Sequence, residues 1–170
     1  MDHQLPVAAC PPTHRLQHLE TTVTIPHPRD DVWAWICDPA TFIEGQIWPW
    51  RVEFLDPRTG AAAGFTEGVL TTHHGPLMNF SGVIGEVDAP RYRDLAYTYG
   101  AYMISPRICR PVRLQFWLEE TSGGAATRVR IGVDAQMRKG WRGASRLVQR
   151  WFWKRFARWG TAAIRARAAG

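Results

Sequence analysis

Apolar and polar residues alternate with a period of two along most of this chain, and follow a helical period mainly near its end. Leu19, Thr21, Val23 and Ile25 alternate with His18, Glu20, Thr22 and Thr24, which predicts a half-buried strand. Pro26-His27-Pro28 ends it. The stretch from Pro28 to Ile36 then opens a short helix. Proline is tolerated in a first turn, where no N–H partner is lost, and Asp30 and Asp31 sit where the macrodipole favours acids. Val32, Trp33 and Ile36 form its expected buried stripe. Asp38-Pro39 starts a second short helix, with Asp38 as N-cap and Phe42 and Ile43 as anchors.

A meander of strands follows. Trp50, Val52 and Phe54 alternate with Arg51, Glu53 and Leu55. Further strands are expected at 65–72, 78–87, 94–104, 112–120 and 127–137. Turn chemistry separates them at Asp56-Pro57-Arg58-Thr59-Gly60, His74-Gly75-Pro76, Asp88-Ala89-Pro90, Ser105-Pro106 and Ser122-Gly123-Gly124. Short connections throughout favour an antiparallel sheet over a parallel α/β one. Residues 1–14 read as a loose tail and 15–170 as one domain.

The chain closes with one long helix over about 143–168. On a helical wheel Leu147, Val148, Trp151, Phe152, Phe156, Trp159 and Ala163 share one half. Arg142, Arg146, Arg150, Lys154 and Arg158 form an i,i+4 ladder along the other, with Trp153 beside them and Arg155 on the apolar side. The like-charge steps cost roughly 1–2 kcal/mol. Burying the aromatic face returns roughly 10 kcal/mol before entropy, so the helix is expected to dock on the sheet.

Charge sharpens this picture. Residues 138–170 hold ten of the 21 Lys/Arg, four of the nine Trp and no acid, so the net charge of +6 comes from this one segment. The ladder reads as a solvated outer face, as a contact for an anionic membrane surface, or as a contact for an acidic protein. No nucleic-acid motif accompanies it, which argues against DNA or RNA as partner. Three cysteines without metal-ligand or disulfide spacing read as reduced thiols, and a cytoplasmic location is expected.

Several strings resemble the START-related SRPBCC superfamily in its polyketide cyclase/dehydrase branch. Thr22-Val23-Thr24-Ile25-Pro26, Asp31-Val32-Trp33 and Asp38-Pro39 are similar to that branch's opening pattern. Glu86 to Leu95 is similar to its central Asp-Pro-Pro-Arg stretch, with Ala89 in place of the first Pro. Ala126-Thr127-Arg128-Val129 after Gly123-Gly124 is similar to its last hairpin. The resemblance implies an α+β helix-grip fold: a curved seven-stranded antiparallel sheet around the long C-terminal helix, with two short helices after the first strand. It implies a cavity between sheet and helix that takes a small apolar molecule such as a lipid or polyketide. A minority of members catalyse cyclisation, dehydration or hydrolysis there, so an enzyme is the alternative reading. The terminal helix carries more Trp and Phe than many members, and these rings either line the cavity or fill it.

Candidate ligand-binding residues follow from that frame. Tyr97 and Tyr99 share strand parity with Leu95 and can offer hydroxyls to the cavity. Glu67 shares parity with Phe65 and Val69, whereas Glu53 and Asp134 oppose apolar neighbours and face solvent. Phe116, Phe152 and Phe156 supply apolar wall, and Trp48 and Trp50, flanking Pro49, stand at the expected entrance. His73 and His74 point to opposite faces if in a strand and cannot jointly grip a metal; before Gly75-Pro76 they read as a loop end. No Ser/His/Asp order, phosphate loop or metal spacing appears, so no catalytic set, metal or cofactor is expected.

Overall fold

The computed structural model describes residues 9–42, 51–75, 78–102 and 105–169. In chain order the elements are β1 (His14–Ile25), α1 (Arg29–Ile36), a 3-10 turn (Pro39–Phe42), β2 (Arg51–Leu55), β3 (Leu70–His74), β4 (Asn79–Asp88), β5 (Tyr92–Ala101), β6 (Cys109–Thr121), β7 (Ala126–Arg138) and α2 (Arg142–Ala169). The seven strands form one antiparallel sheet in the order β1-β7-β6-β5-β4-β3-β2. β2 to β7 is therefore a plain meander, and β1 pairs with its last strand. β1 begins at His14, the last residue of the stretch expected to be a loose tail.

One face of the sheet carries the core. Ile25, Ile84, Leu95, Phe116, Leu118, Val129 and Ile131 are all buried there, and α2 lies across them. The clean alternation of β6 and β7 is what makes this face continuous. α1 closes the far end: Trp35 packs on Phe156, with ring centroids 4.7 Å apart. The buried residues of α1 are Val32, Trp35 and Ile36, not the expected Val32, Trp33 and Ile36. Trp35 takes the inner place because Gly160 of α2 leaves room for its indole. Asp38 behaves as a cap, accepting the Ala40 N–H at 2.8 Å.

α2 differs from expectation in the face it buries. Ser145, Gln149, Trp153, Phe156, Gly160 and Ile164 point inward, roughly a quarter turn from the stripe that hydrophobicity selects. Phe152, Trp159 and Ala163 are half-buried on its flank. Leu147, Val148 and Trp151 are exposed, and Trp153, expected among the bases, is 3% exposed. Close approach decides this: small residues at 145 and 160 let the helix axis near the sheet and α1, which a continuous row of large side chains would prevent. The Trp153 indole N–H is satisfied inside by Gln149 Oε1 at 2.9 Å. The basic ladder is exposed along its whole length, as expected.

Candidate functional site

A cavity of about 40 Å³ lies between the inner face of the sheet and α2. Its walls are His73, Met78, Phe80, Tyr97, Tyr102, Leu114, Val133, Phe152 and Trp153. Pro111 and Arg113, flanking a register shift in β6, close one end. Such a space holds a water molecule or two, roughly a tenth of what a drug-sized ligand occupies. Phe152 and Trp153 form its wall on the α2 side.

The wall is built by strand parity. In β3, Thr71 and His73 face inward while Thr72 and His74 face out. His73 pairs across the ladder with Phe80 and stacks on it, with centroids 4.4 Å apart and planes at 22°. Tyr97 stands edge-on to both rings, 6.0 Å from His73 and 4.8 Å from Phe80. The Thr71 hydroxyl lies 3.1 Å from His73 Nε2. Burial, helped by the nearby Arg93 and His74 charges, pulls His73 down to about 3, so its ring is neutral at pH 7. Burial pushes the Tyr97 phenol upward. It takes Tyr102 up to about 12, against the opposing pull of the Gln149 amide. The Cys109 thiol is also pushed up to about 12 by burial, which keeps it protonated and unreactive.

Arg93 brings a cation into the interior. It is fully buried, its guanidinium centred 4.2 Å from the Phe65 ring and 4.9 Å from the Phe116 ring. It donates from Nη1 to the carbonyl of Ile36, the last residue of α1. α1 has no basic residue in its own last turn, so β5 supplies the cation that its dipole favours.

The sheet is split beside the cavity. The β5–β6 ladder stops at Ala96 opposite Arg113, after which β5 follows β4 and β6 follows β7. A cleft of about 420 Å³ opens between them, bordered by Thr98, Tyr99, Gly100, Arg110, Val112 and Gln136. Tyr97 and Pro111 border both this cleft and the inner cavity.

Of the residues singled out in the sequence, Tyr97 and Phe152 lie on the cavity wall. Phe116 and Phe156 form the layer behind it, 6.0 Å from each other, with Phe116 5.9 Å from Trp153. Tyr99 is 82% exposed. A register shift between Ser81 and Gly82 inserts an extra residue into β5, which cancels the shared parity of Tyr97 and Tyr99. Glu67 is exposed as well, because residues 65–68 form a turn rather than strand. Gly68, at φ +82°, redirects the chain there, and the Glu67 carboxylate accepts the Val87 N–H at 2.9 Å. Glu53 is paired with Arg51 on the outer face, and Asp134 is paired with His18, although Asp134 and Ala135 also border the cavity. Trp48 and Trp50 lie outside the described residues. His73, Phe80, Tyr102 and Trp153 are among the wall residues that the candidate set did not include. The loop reading of His73-His74 is corrected by β3, which runs through both residues. Among the described residues, no cluster of three or more His, Cys, Asp or Glu could hold a metal.

No protein-family model and no curated protein matches the chain. Solved structures do. Norcoclaurine synthase from Thalictrum flavum, in complex with dopamine and hydroxybenzaldehyde, superposes with a TM-score of 0.62 at 9% identity, over 89% of this chain and 88% of that one. Ara h 8.0201 gives 0.62 at 12% identity, over 89% and 99%. The Zhui aromatase/cyclase from Streptomyces sp. R1128 gives 0.55 at 17% identity, over 91% and 94%.

Proposed function

We propose, starting from the SRPBCC helix-grip fold that this chain has, that it binds a small apolar molecule between the sheet and α2. The observation that carries this reading is a cavity between the sheet and α2 whose wall is mainly aromatic and aliphatic, with the polar rings His73, Tyr97 and Tyr102 set into it. A mostly apolar lining with a few polar groups on its wall is what a small apolar ligand with a polar edge fits. The norcoclaurine synthase neighbour carries small aromatic molecules, and a flat aromatic or polyketide-like ligand suits a wall built of stacked rings. The ligand takes the place of the Phe152 and Trp153 rings, which swing aside as α2 lifts. The β5–β6 split offers a route, since Tyr97 and Pro111 border both spaces.

Binding is favoured over catalysis by the protonation states. A general acid or base works best with a pKa near the working pH. On the cavity wall, burial drives His73 down to about 3 and pushes Tyr102 up to about 12, both away from neutrality. Titration with the neutral fluorophore 1-aminoanthracene tests the reading. Saturable one-site binding is expected, weakened about tenfold or more when Val133→Trp plugs the cavity. Equal binding by wild type and V133W would sink it.

A further inference from the structure

α2 has two apolar faces, and only one is covered. Its first turns direct Ser145 and Gln149 toward the sheet. The same turns leave Leu147, Val148 and Trp151 73, 44 and 51% exposed, with Trp141 46% exposed just ahead of the helix. This inverts the usual order of an amphipathic helix, with polar side chains inside and apolar ones outside. At about 100° per residue, Leu147, Val148 and Trp151 stand opposite the docked stripe of Gln149, Trp153 and Phe156.

Charge selects what covers the outer face. Arg150, Lys154 and Arg158 run along its flank, with Arg142 and Arg146 farther round the first turns; all five are exposed, and α2 contains no acid. None of these five pairs with a carboxylate among the described residues; the ion pair of α2 is at its other end, Arg167 with Asp38 at 2.5 Å. Arg155 sits over the Trp151 ring, 5.4 Å from its centroid. A second copy of the chain docked on this face would bring the same ladder against itself, with no acid on the helix to compensate. An anionic lipid surface brings the opposite charge together with an apolar layer.

We propose that the first half of α2 docks laterally on anionic bilayers. Leu147, Val148 and Trp151 enter the boundary between headgroups and acyl chains, and the ladder contacts lipid phosphates. Trp141 and Trp151 suit that depth, where an apolar ring meets water. Among the described residues no helix is long and apolar enough to cross a membrane, so the contact is interfacial. The proposal does not depend on the cavity reading. It does place the turn that carries Phe152 and Trp153 beside the bilayer.

The test is co-sedimentation of the full chain with phosphatidylcholine vesicles, with and without phosphatidylglycerol. Binding is expected only with phosphatidylglycerol, and it should weaken as salt shortens the Debye length below about 10 Å. L147S/V148S/W151S, whose sites are exposed, should keep the wild-type circular dichroism and lose about tenfold or more in partitioning. R146Q/R150Q/K154Q should lose roughly a hundredfold, since each basic residue near an anionic surface adds about fivefold. Equal binding to both vesicle types, or unchanged binding by either triple variant, would overturn the proposal. So would a wild-type dimer that ignores vesicles and that L147S/V148S/W151S dissolves, which would give the face to a second copy.

Discussion

The indole of Trp35 lies over the bare α-carbon of Gly160, so closely that a β-carbon there would stand 2.7 Å from the ring. This is where α1 and α2 meet, and Trp35 is hemmed in on its other side by Phe156, 4.7 Å away. Gly160→Ala gains about 1 kcal/mol of helix propensity. It loses about 1–3 kcal/mol to overpacking, so the net effect is destabilising. Gly160→Val forces a larger displacement and should cost more than G160A. Urea midpoints measure both, and a higher midpoint for G160A would contradict the close approach.

Arg93 ties α1 to the sheet from within the core. Arg93→Ala removes the bond to the Ile36 carbonyl and the cation between Phe65 and Phe116, and it leaves a void. A charged hydrogen bond contributes about 1.5–3 kcal/mol and the cavity adds to that, so a loss of about 3 kcal/mol is expected. Arg93→Met keeps most of the volume and avoids desolvating a cation, so it should lose about 1 kcal/mol. Equal losses for the two variants in chemical denaturation would contradict this division.

His73 makes stability depend on pH. Its folded value is about 3 and its ordinary value 6.5, so between these limits the unfolded chain binds the extra proton. The contribution is fully present above pH 6.5 and is lost as pH falls from there toward 3, to a total of a few kcal/mol. His73→Phe keeps a ring on Phe80 and removes the titration. The slope of stability against pH should therefore be smaller by up to one proton in H73F over this window. Identical slopes for the two proteins would show that His73 charges as readily folded as unfolded.

How far the chain can be read without its structure depends on what carries each signal. Strands β6 and β7 were legible because Leu114, Phe116, Leu118, Val129, Ile131 and Val133 alternate without interruption. Tyr99 was misread because one residue inserted by a register shift reverses every parity after it. Glu67 was misread because a turn at Gly68 stands where alternation suggested strand. The face of α2 was misread for a different reason. Hydrophobicity points to Leu147, Val148 and Trp151, but docking depends on how near two backbones can come, and that is set by Ser145 and Gly160. His73 lies in a strand of Thr and His with no apolar alternation to mark its inner side. Its place is set by pairing with Phe80, which is visible only once β3 and β4 are in register.

The most direct test of ligand binding under α2 is a two-dimensional ¹H–¹⁵N NMR titration with 1-aminoanthracene. It follows the Trp153 indole N–H, which bonds Gln149 at 2.9 Å, and the His73 ring. The expected result is a saturable shift of both, with the indoles of Trp141 and Trp151 on the outer face unmoved. Shifts confined to Trp141 and Trp151, with Trp153 and His73 unchanged while the probe is bound, would contradict it.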